Sequence, residues 1–384
     1  MNNRYYSLDV FRGATVALMI LVNNPGSWSH IYAPLEHAPW HGCTPTDLVF
    51  PFFLFAVGNA MSFVMPKFEQ AGTSYFLKKV FKRAVLIFLI GLFLNWSPFV
   101  KWQDNELVFK QWENVRILGV LQRIAICYLF ASISVYFLKA KGAFVLSCTI
   151  LLFYWAICLA FGTVGIPFSL EGFFGTAIDI NLLGVKHIYK GEGVPFDPEG
   201  LASTLPAIVQ VIFGYLVGDY IQKKGKTFEM LSNLFVVGIV LLSAAYCWDL
   251  LFPINKKIWT SSYVLHTTGL AILTISICIY FIEFQGKRGL ASKFFDVFGK
   301  NPLFIFVLSG LLPRLVGLLR IPNGVDVTTG KQLYISAFGW LYEYVCKPVS
   351  TDLRNGSLLY AIILILFYWF IVYLMDKKRI YVKV

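Results

Sequence analysis

Long apolar runs alternate with short polar, lysine-rich connections along almost the whole chain. Runs at 8–27, 47–65, 80–96, 117–138, 144–165, 201–221, 231–252, 259–282, 298–319 and 358–375 approach the roughly 20 residues that an α-helix needs to cross about 30 Å of hydrocarbon. That makes about ten candidate spans. None shows the alternation of apolar and polar positions that a membrane strand of half that length requires. The pattern predicts an all-α, polytopic transmembrane helical bundle, a single domain over residues 1–384.

One run breaks the series. LYISAFGWLYEYVC, 333–346, is too short to cross and carries Glu343, while its Trp and Tyr suit the headgroup layer. It reads as an interfacial or re-entrant helix inside an external loop, 320–357. The longest hydrophilic stretch, 166–200, is rich in Gly and reads as a second external loop, able to cover a site.

Composition confirms the solvent. With 57% hydrophobic and 14% charged residues, 36 Phe and a mean hydropathy of +0.66, a soluble domain is excluded. The formal charge of +12 would suit a nucleic-acid partner, but the basic residues sit in short clusters between apolar runs, with no basic face and no nucleic-acid motif. They read instead as topology signals, since Lys and Arg are retained on the cytoplasmic side. Arg4, Lys67, Lys78, Lys79, Lys82, Arg83, Lys139, Lys141, Lys223, Lys224, Lys226, Lys287, Arg288, Lys293, Lys300, Lys377, Lys378, Arg379 and Lys383 all fall on one side. Both termini are therefore expected in the cytoplasm. The first apolar run holds Asp9 and Arg12 and lacks a small-residue cleavage site, so it reads as a retained helix. Seven cysteines with no CxxC or Cys/His spacing predict neither a disulfide framework nor a metal site.

Ionisable residues inside such runs are functional candidates, because a charge in lipid is costly unless paired or wetted. Asp9 and Arg12, three apart on the first helix, can neutralise each other, or Arg12 can meet a ligand. Arg123 lies deep in the fourth run and requires an anion, a carboxylate of another helix or a phosphate. Asp47 opens the second run as an N-cap candidate. His30 and His41 read as solvated loop residues. His37, between Pro34, Pro39 and Trp40, sits where an imidazole would be held in place, although a solvated loop residue is the plainer reading.

Seven segments carry a resemblance: SLDVFRG, LVNNPG, EHAPWHGCTPTDLVFPFFLFAVGNAMS, GVLQRIAICY, FDPEGLASTLPAIVQVIFGYLVGDYI, NKKIWTSSYVL and FGKNPLFIFV. In order and spacing they resemble the transmembrane heparan-alpha-glucosaminide N-acetyltransferase family, in a compact form similar to its prokaryotic branch, without the lumenal region of animal members. The resemblance implies transfer of an acetyl group from cytoplasmic acetyl-CoA to the amine of a glucosamine-type sugar across the membrane, without a metal. It gives the role of the active histidine to His37.

The remaining expectations follow from that task. Arg12 and Arg123 would neutralise CoA phosphates, and Asn301 would bind pantetheine amide or phosphate groups. Asn23 or Asn24 would donate to the thioester oxygen. Asp47 would orient His37 or hold its imidazolium. Asp197 and Glu199 would grip the sugar, with helix capping an equal account of Asp197. Cys43 is a rival nucleophile with only His37 to activate it. The implied partners are acetyl-CoA, an amino-sugar acceptor and the lipid bilayer, with a homodimer left open. The implied location is the bacterial inner membrane. The alternative is a transporter for amino sugars or their breakdown products, whose buried polar residues would line a path.

Overall fold

The computed structural model describes residues 5–103, 105–328 and 330–382; Arg4 and Lys383 of the basic clusters lie outside them. The chain is helical. Its main helices are α1 (Tyr6–Asn23), α2 (Val49–Ser62), α3 (Met65–Ala71), α4 (Thr73–Trp96), α5 (Val120–Phe161), α6 (Gly175–Leu183), α7 (Leu201–Lys224), α8 (Phe228–Asp249), α9 (Ser261–Ile279), α10 (Leu290–Lys300), α11 (Pro302–Val316), α12 (Ala337–Trp340) and α13 (Leu353–Lys377). Two small antiparallel hairpins, β1 (Val100–Gln103) with β2 (Glu106–Phe109) and β3 (Ile321–Val325) with β4 (Gln332–Ile335), decorate the connections.

Among the described residues, six helices are long and apolar enough to cross a membrane, or up to eight if each of two bent pairs counts as one span. Two breaks in the helices have local causes. Between α10 and α11 the chain turns by 79° at Asn301–Pro302, where proline takes the first position of the new helix. In α5 the break is at Lys139, whose φ of 56° and ψ of −178° no helix accommodates. Forty-two residues at 1.5 Å each are about twice the hydrocarbon thickness. Lys79, Lys82 and Arg83 keep α4 out of the count. The structure thus supports a helical multi-pass membrane protein.

Two ends of the bundle are distinguishable by what meets there. At one end Lys226 pairs with Glu283, Tyr6 bonds the Ser292 carbonyl, Lys139 pairs with Glu69 and Lys300 with Asp376. At the other, the 24–48 segment, the 97–119 connection, the 162–200 loop, the 250–260 turn and the residues before α13 converge. Asn355 there accepts from Tyr32, and Arg116 from one connection binds Asp197 of another.

Glycines let the central helices approach. A Cβ on Gly58 of α2 would stand 1.9 Å from the Val211 carbonyl oxygen of α7, and one on Gly214 of α7 would stand 2.1 Å from that of Phe55. The two helices cross backbone to backbone, as small residues permit in lipid. The α1 and α10 helices meet the same way at Gly13 and Gly299.

The 333–346 segment is not one helix. Its first residues form β4, and only Ala337–Trp340 and the π-type turn Leu341–Cys346 are helical. Tyr342 and Cys346 are buried while Leu333, Tyr334, Trp340, Tyr344 and Val345 stay exposed, and Tyr342 packs against Gly26 and Tyr360, which anchors the turn to the ends of α1 and α13.

Candidate active site

The sequence TPTD turns the chain sharply before α2. Thr44 is the N-cap of a 3-10 turn, Pro45–Leu48, with proline at its first position and Asp47 at its third in a capping box. The expectation that Asp47 itself is the N-cap is therefore corrected: Thr44 caps the 3-10 turn, Leu48 stands at the N-cap position of α2, and Asp47 lies inside the turn. Asp47 is left free to gather donors. Its Oδ2 accepts from the Ala38 N–H at 3.0 Å, the Thr44 N–H at 3.0 Å and the Thr44 hydroxyl at 3.1 Å. Its Oδ1 lies 2.6 Å from His37 Nδ1 and 3.3 Å from Lys256 Nζ. Tyr263 of α9 donates to the Asp47 carbonyl at 2.6 Å.

A buried carboxylate facing Nδ1 decides the imidazole's tautomer. Nδ1 carries the proton and donates to Asp47, so Nε2 keeps a lone pair. The Asp47 side chain is 1% exposed and that of His37 46%, so the orienting group is hidden and the oriented ring accessible. Such a pair can accept a proton at Nε2 and hold the resulting imidazolium.

The turn that brings Lys256 is itself constrained. Asn255 donates its N–H to Thr260 Oγ1 at 3.0 Å and accepts from the Ile258 N–H at 3.0 Å. Trp259, fully buried, takes φ 51°, a left-handed conformation that a bulky residue adopts only when its surroundings impose it. Gly42, at φ 100°, turns the His37 segment so that its N–H meets the Ile254 carbonyl at 2.7 Å. Lys257 then bonds the Pro39 carbonyl at 2.9 Å and Glu192 at 2.5 Å. The 162–200 loop completes the clasp, since the Trp40 indole donates to the Phe168 carbonyl at 2.8 Å.

Asp197 and Glu199 meet Arg116, a residue the sequence did not single out. Arg116 binds Asp197 through Nε at 3.0 Å and Nη2 at 2.5 Å, and Nη2 also meets Glu199. Burial alone would raise the Glu199 carboxyl, but Arg116 and then Arg123 outweigh it and hold the group below the usual range. The capping account of Asp197 is also corrected. Gly200 is the cap residue of α7, and Asp179 accepts the Leu201 N–H at 2.9 Å. Burial pushes the Asp179 carboxyl up to about 6.

Two cavities lie on the α1 side of this cluster. One, of about 390 Å³, is lined by Asn23, Asn24, Arg116, Gln122 and Arg314 among others. The second, of about 200 Å³ and mainly apolar, has Arg12 and Arg83 in its wall. Leu121 and Phe306 belong to both walls. Asn23 lines the larger cavity and Arg12 the smaller, and Arg12 also pairs with Asp9 as its spacing predicts.

Two expected residues line neither cavity. Arg123 is buried with Nη2 on the Gly200 carbonyl at 3.0 Å and on the Ser203 hydroxyl, and its guanidinium lies 5.1 Å from the Trp259 ring centroid. Its nearby anion is Glu199. Asn301 has its amide engaged by the tail, donating to the Ile380 carbonyl at 3.1 Å and accepting from the Val382 N–H at 2.8 Å. Arg83, which the sequence did not single out, stands with Arg12 in the wall of the smaller cavity. Burial, with Asp47 adding to it, pushes the Cys43 thiol up to about 12, so the rival nucleophile is a neutral thiol.

Residues 4–244 match the family described as heparan-alpha-glucosaminide N-acetyltransferase, catalytic. The chain belongs to this family. It is 27% identical over 357 residues to the heparan-alpha-glucosaminide N-acetyltransferase of Homo sapiens, a match covering 79% of this chain and 52% of that protein. The protein of the same name from Mus musculus is 25% identical over 358 residues, covering 79% and 53%. The chain spans about half the length of these curated relatives. The paired His37 and Asp47 and the Asn23 and Arg123 segments all fall inside the matched region.

Proposed function

We propose that the protein is a transmembrane N-acetyltransferase that moves an acetyl group from cytoplasmic acetyl-CoA to the amine of a glucosamine-type sugar on the outer side. The observation that carries this reading is the 2.6 Å contact of His37 Nδ1 with the buried Asp47, which leaves Nε2 as an accessible base in a family named for acetyl transfer. The proposed topology has ten crossings: α1, α2, α4, 120–138, 140–161, α7, α8, α9, α11 and α13. Both termini then face the cytoplasm, and His37 and the 166–200 and 320–357 loops lie outside. The proposed location is a bacterial inner membrane.

On this reading Arg12 and Arg83 receive CoA phosphates at the basic end, and the narrow pantetheine arm would pass between the two cavities by way of Leu121 and Phe306. Asn23 donates to the thioester oxygen as the tetrahedral centre forms. His37 Nε2 takes the proton from the attacking amine while the new N–C bond forms; the C–S bond then breaks, and the proton passes to the leaving sulfur. Asp47 holds the imidazolium between those steps. Glu199 and Asp197 line the acceptor side, where Arg116 fixes them, and Arg123 supports Glu199 from behind. A direct transfer of this kind leaves no acetyl on the enzyme.

The test uses purified protein in liposomes, labelled acetyl-CoA and a panel of amino sugars. Label in an N-acetylated sugar, lost in His37→Ala, is the expected result. Sugar uptake without acetylation would replace the reading with the transporter. Label retained on His37 without acceptor would replace direct transfer with an acetyl-imidazole intermediate.

A further inference from the structure

His37 has a second charged neighbour besides Asp47. The Nζ of Lys256 lies 3.1 Å from His37 Nδ1 and 3.3 Å from Asp47 Oδ1. With Nδ1–H committed to Asp47, the ammonium cannot donate to that nitrogen; its donor acts on Oδ1, and its charge abuts the ring. The backbone that carries the lysine is held in place. It belongs to the turn fixed by Asn255, Thr260 and the left-handed Trp259, and the neighbouring Lys257 is tied to Pro39 and Glu192.

Resting on the acetyltransferase reading above, we propose that Lys256 is a positioning residue that holds Asp47 for His37 and, by its charge, keeps His37 in the neutral form that can accept the amine proton. Asp47 alone would do half of this. A buried carboxylate orients the imidazole but also favours imidazolium, the form that has no lone pair at Nε2. A cation beside the same ring opposes that drift without giving up the orientation. It also favours return of the proton once the imidazolium forms, toward the sulfur whose bond to the acetyl carbon is breaking.

The charged and titratable groups around this trio come from every packed element. Asp47 and Cys43 lie on the segment leading to α2, Tyr263 on α9, and Glu199, with Arg116 and Arg123 behind it, at the start of α7. Burial draws the Lys256 ammonium below the usual lysine range, while Asp47 and then Glu199 act to keep the proton on. Lys256 therefore joins the His37 pair to the Glu199 and Arg116 cluster, whose arginine is also a wall of the larger cavity.

The test is the pH profile of kcat/KM for labelled acetyl transfer in Lys256→Met and Lys256→Arg, with CoA binding measured alongside. Removing the charge leaves Asp47 unopposed, so the acid limb in Lys256→Met should move to higher pH by about one unit, a tenfold loss below the limb. Lys256→Arg should keep the limb where it is, and CoA binding should be unchanged in both. If the methionine variant fails to fold, Lys256→Gln removes the charge while retaining a donor to Asp47, and the same shift is expected. An unmoved acid limb in either neutral variant would overturn the role of Lys256. That outcome is distinct from failure of the underlying reading, which would appear as full activity in His37→Ala.

Discussion

Asp47 meets His37 at 2.6 Å from a position almost wholly closed to solvent, while the ring it holds is nearly half open. The pair therefore has one face for the protein and one for a substrate. His37→Ala should abolish acetyl transfer, a loss of at least about a hundredfold, with the fold and CoA binding intact. Asp47→Asn should lower kcat more than it raises KM, because an amide can present a donor where Nδ1–H needs an acceptor. Equal falls in stability and rate would reassign Asp47 to the capping box alone.

Arg12 and Arg83 share the wall of the smaller cavity, and Arg123 does not. Arg12→Ala and Arg83→Ala should each weaken CoA binding about tenfold, as the loss of one charge-assisted hydrogen bond would. Arg123→Ala should leave CoA affinity nearly unchanged and lower thermal stability, since its partners are Gly200, Ser203 and Trp259. Calorimetry with CoA separates the two behaviours. A large affinity loss in Arg123→Ala would return that residue to the donor site.

The thiol of Cys43 should react slowly with N-ethylmaleimide at neutral pH and faster as pH rises past the ordinary thiol range. Burial and the negative charge of Asp47 both disfavour its thiolate, and the Lys256 charge offsets them only in part. The sign for a variant follows: Asp47→Asn removes one raising influence, so alkylation should accelerate at a given pH. Mass spectrometry of the Cys43 peptide reads both effects. Rapid labelling of the native protein at pH 7 would contradict the neutral thiol.

Gly58 and Gly214 should be among the least replaceable positions in the bundle. A side chain at either meets backbone rather than a yielding side chain. Gly58→Leu or Gly214→Leu should destabilise by about 3 kcal/mol or more and deplete folded protein in detergent. Size-exclusion profiles matching the wild type would show that α2 and α7 can separate.

The topology has its own test. A cysteine introduced beside His37 should label from outside intact cells with an impermeant reagent, and one beside Lys224 only after permeabilisation. The opposite pattern would invert the proposed orientation.

The helical membrane class was legible because hydropathy is a property of each segment alone. So was the Asp9 and Arg12 pair, since both lie on one helix at neighbouring turns. His37 stood out through its prolines and through resemblance. Lys256 did not, because its value comes from a fold that returns the 250–260 turn to residues more than two hundred positions earlier. Arg116 was hidden for the same reason: in sequence it looks like one more loop arginine, and only the packing shows that it holds two carboxylates. Asn301 and Arg123 look unpartnered in sequence, and packing gives each a neighbour from far along the chain: the C-terminal tail bonds the Asn301 amide, and the start of α7 takes Nη2 of Arg123.

Leu121 and Phe306 each stand in the walls of both cavities. On the acetyltransferase reading, side chains placed there would work as a gasket between the two hollows. Such a seal would spare the cell's ion gradients, because the acetyl group would cross on its tether while the water on either side stays where it is.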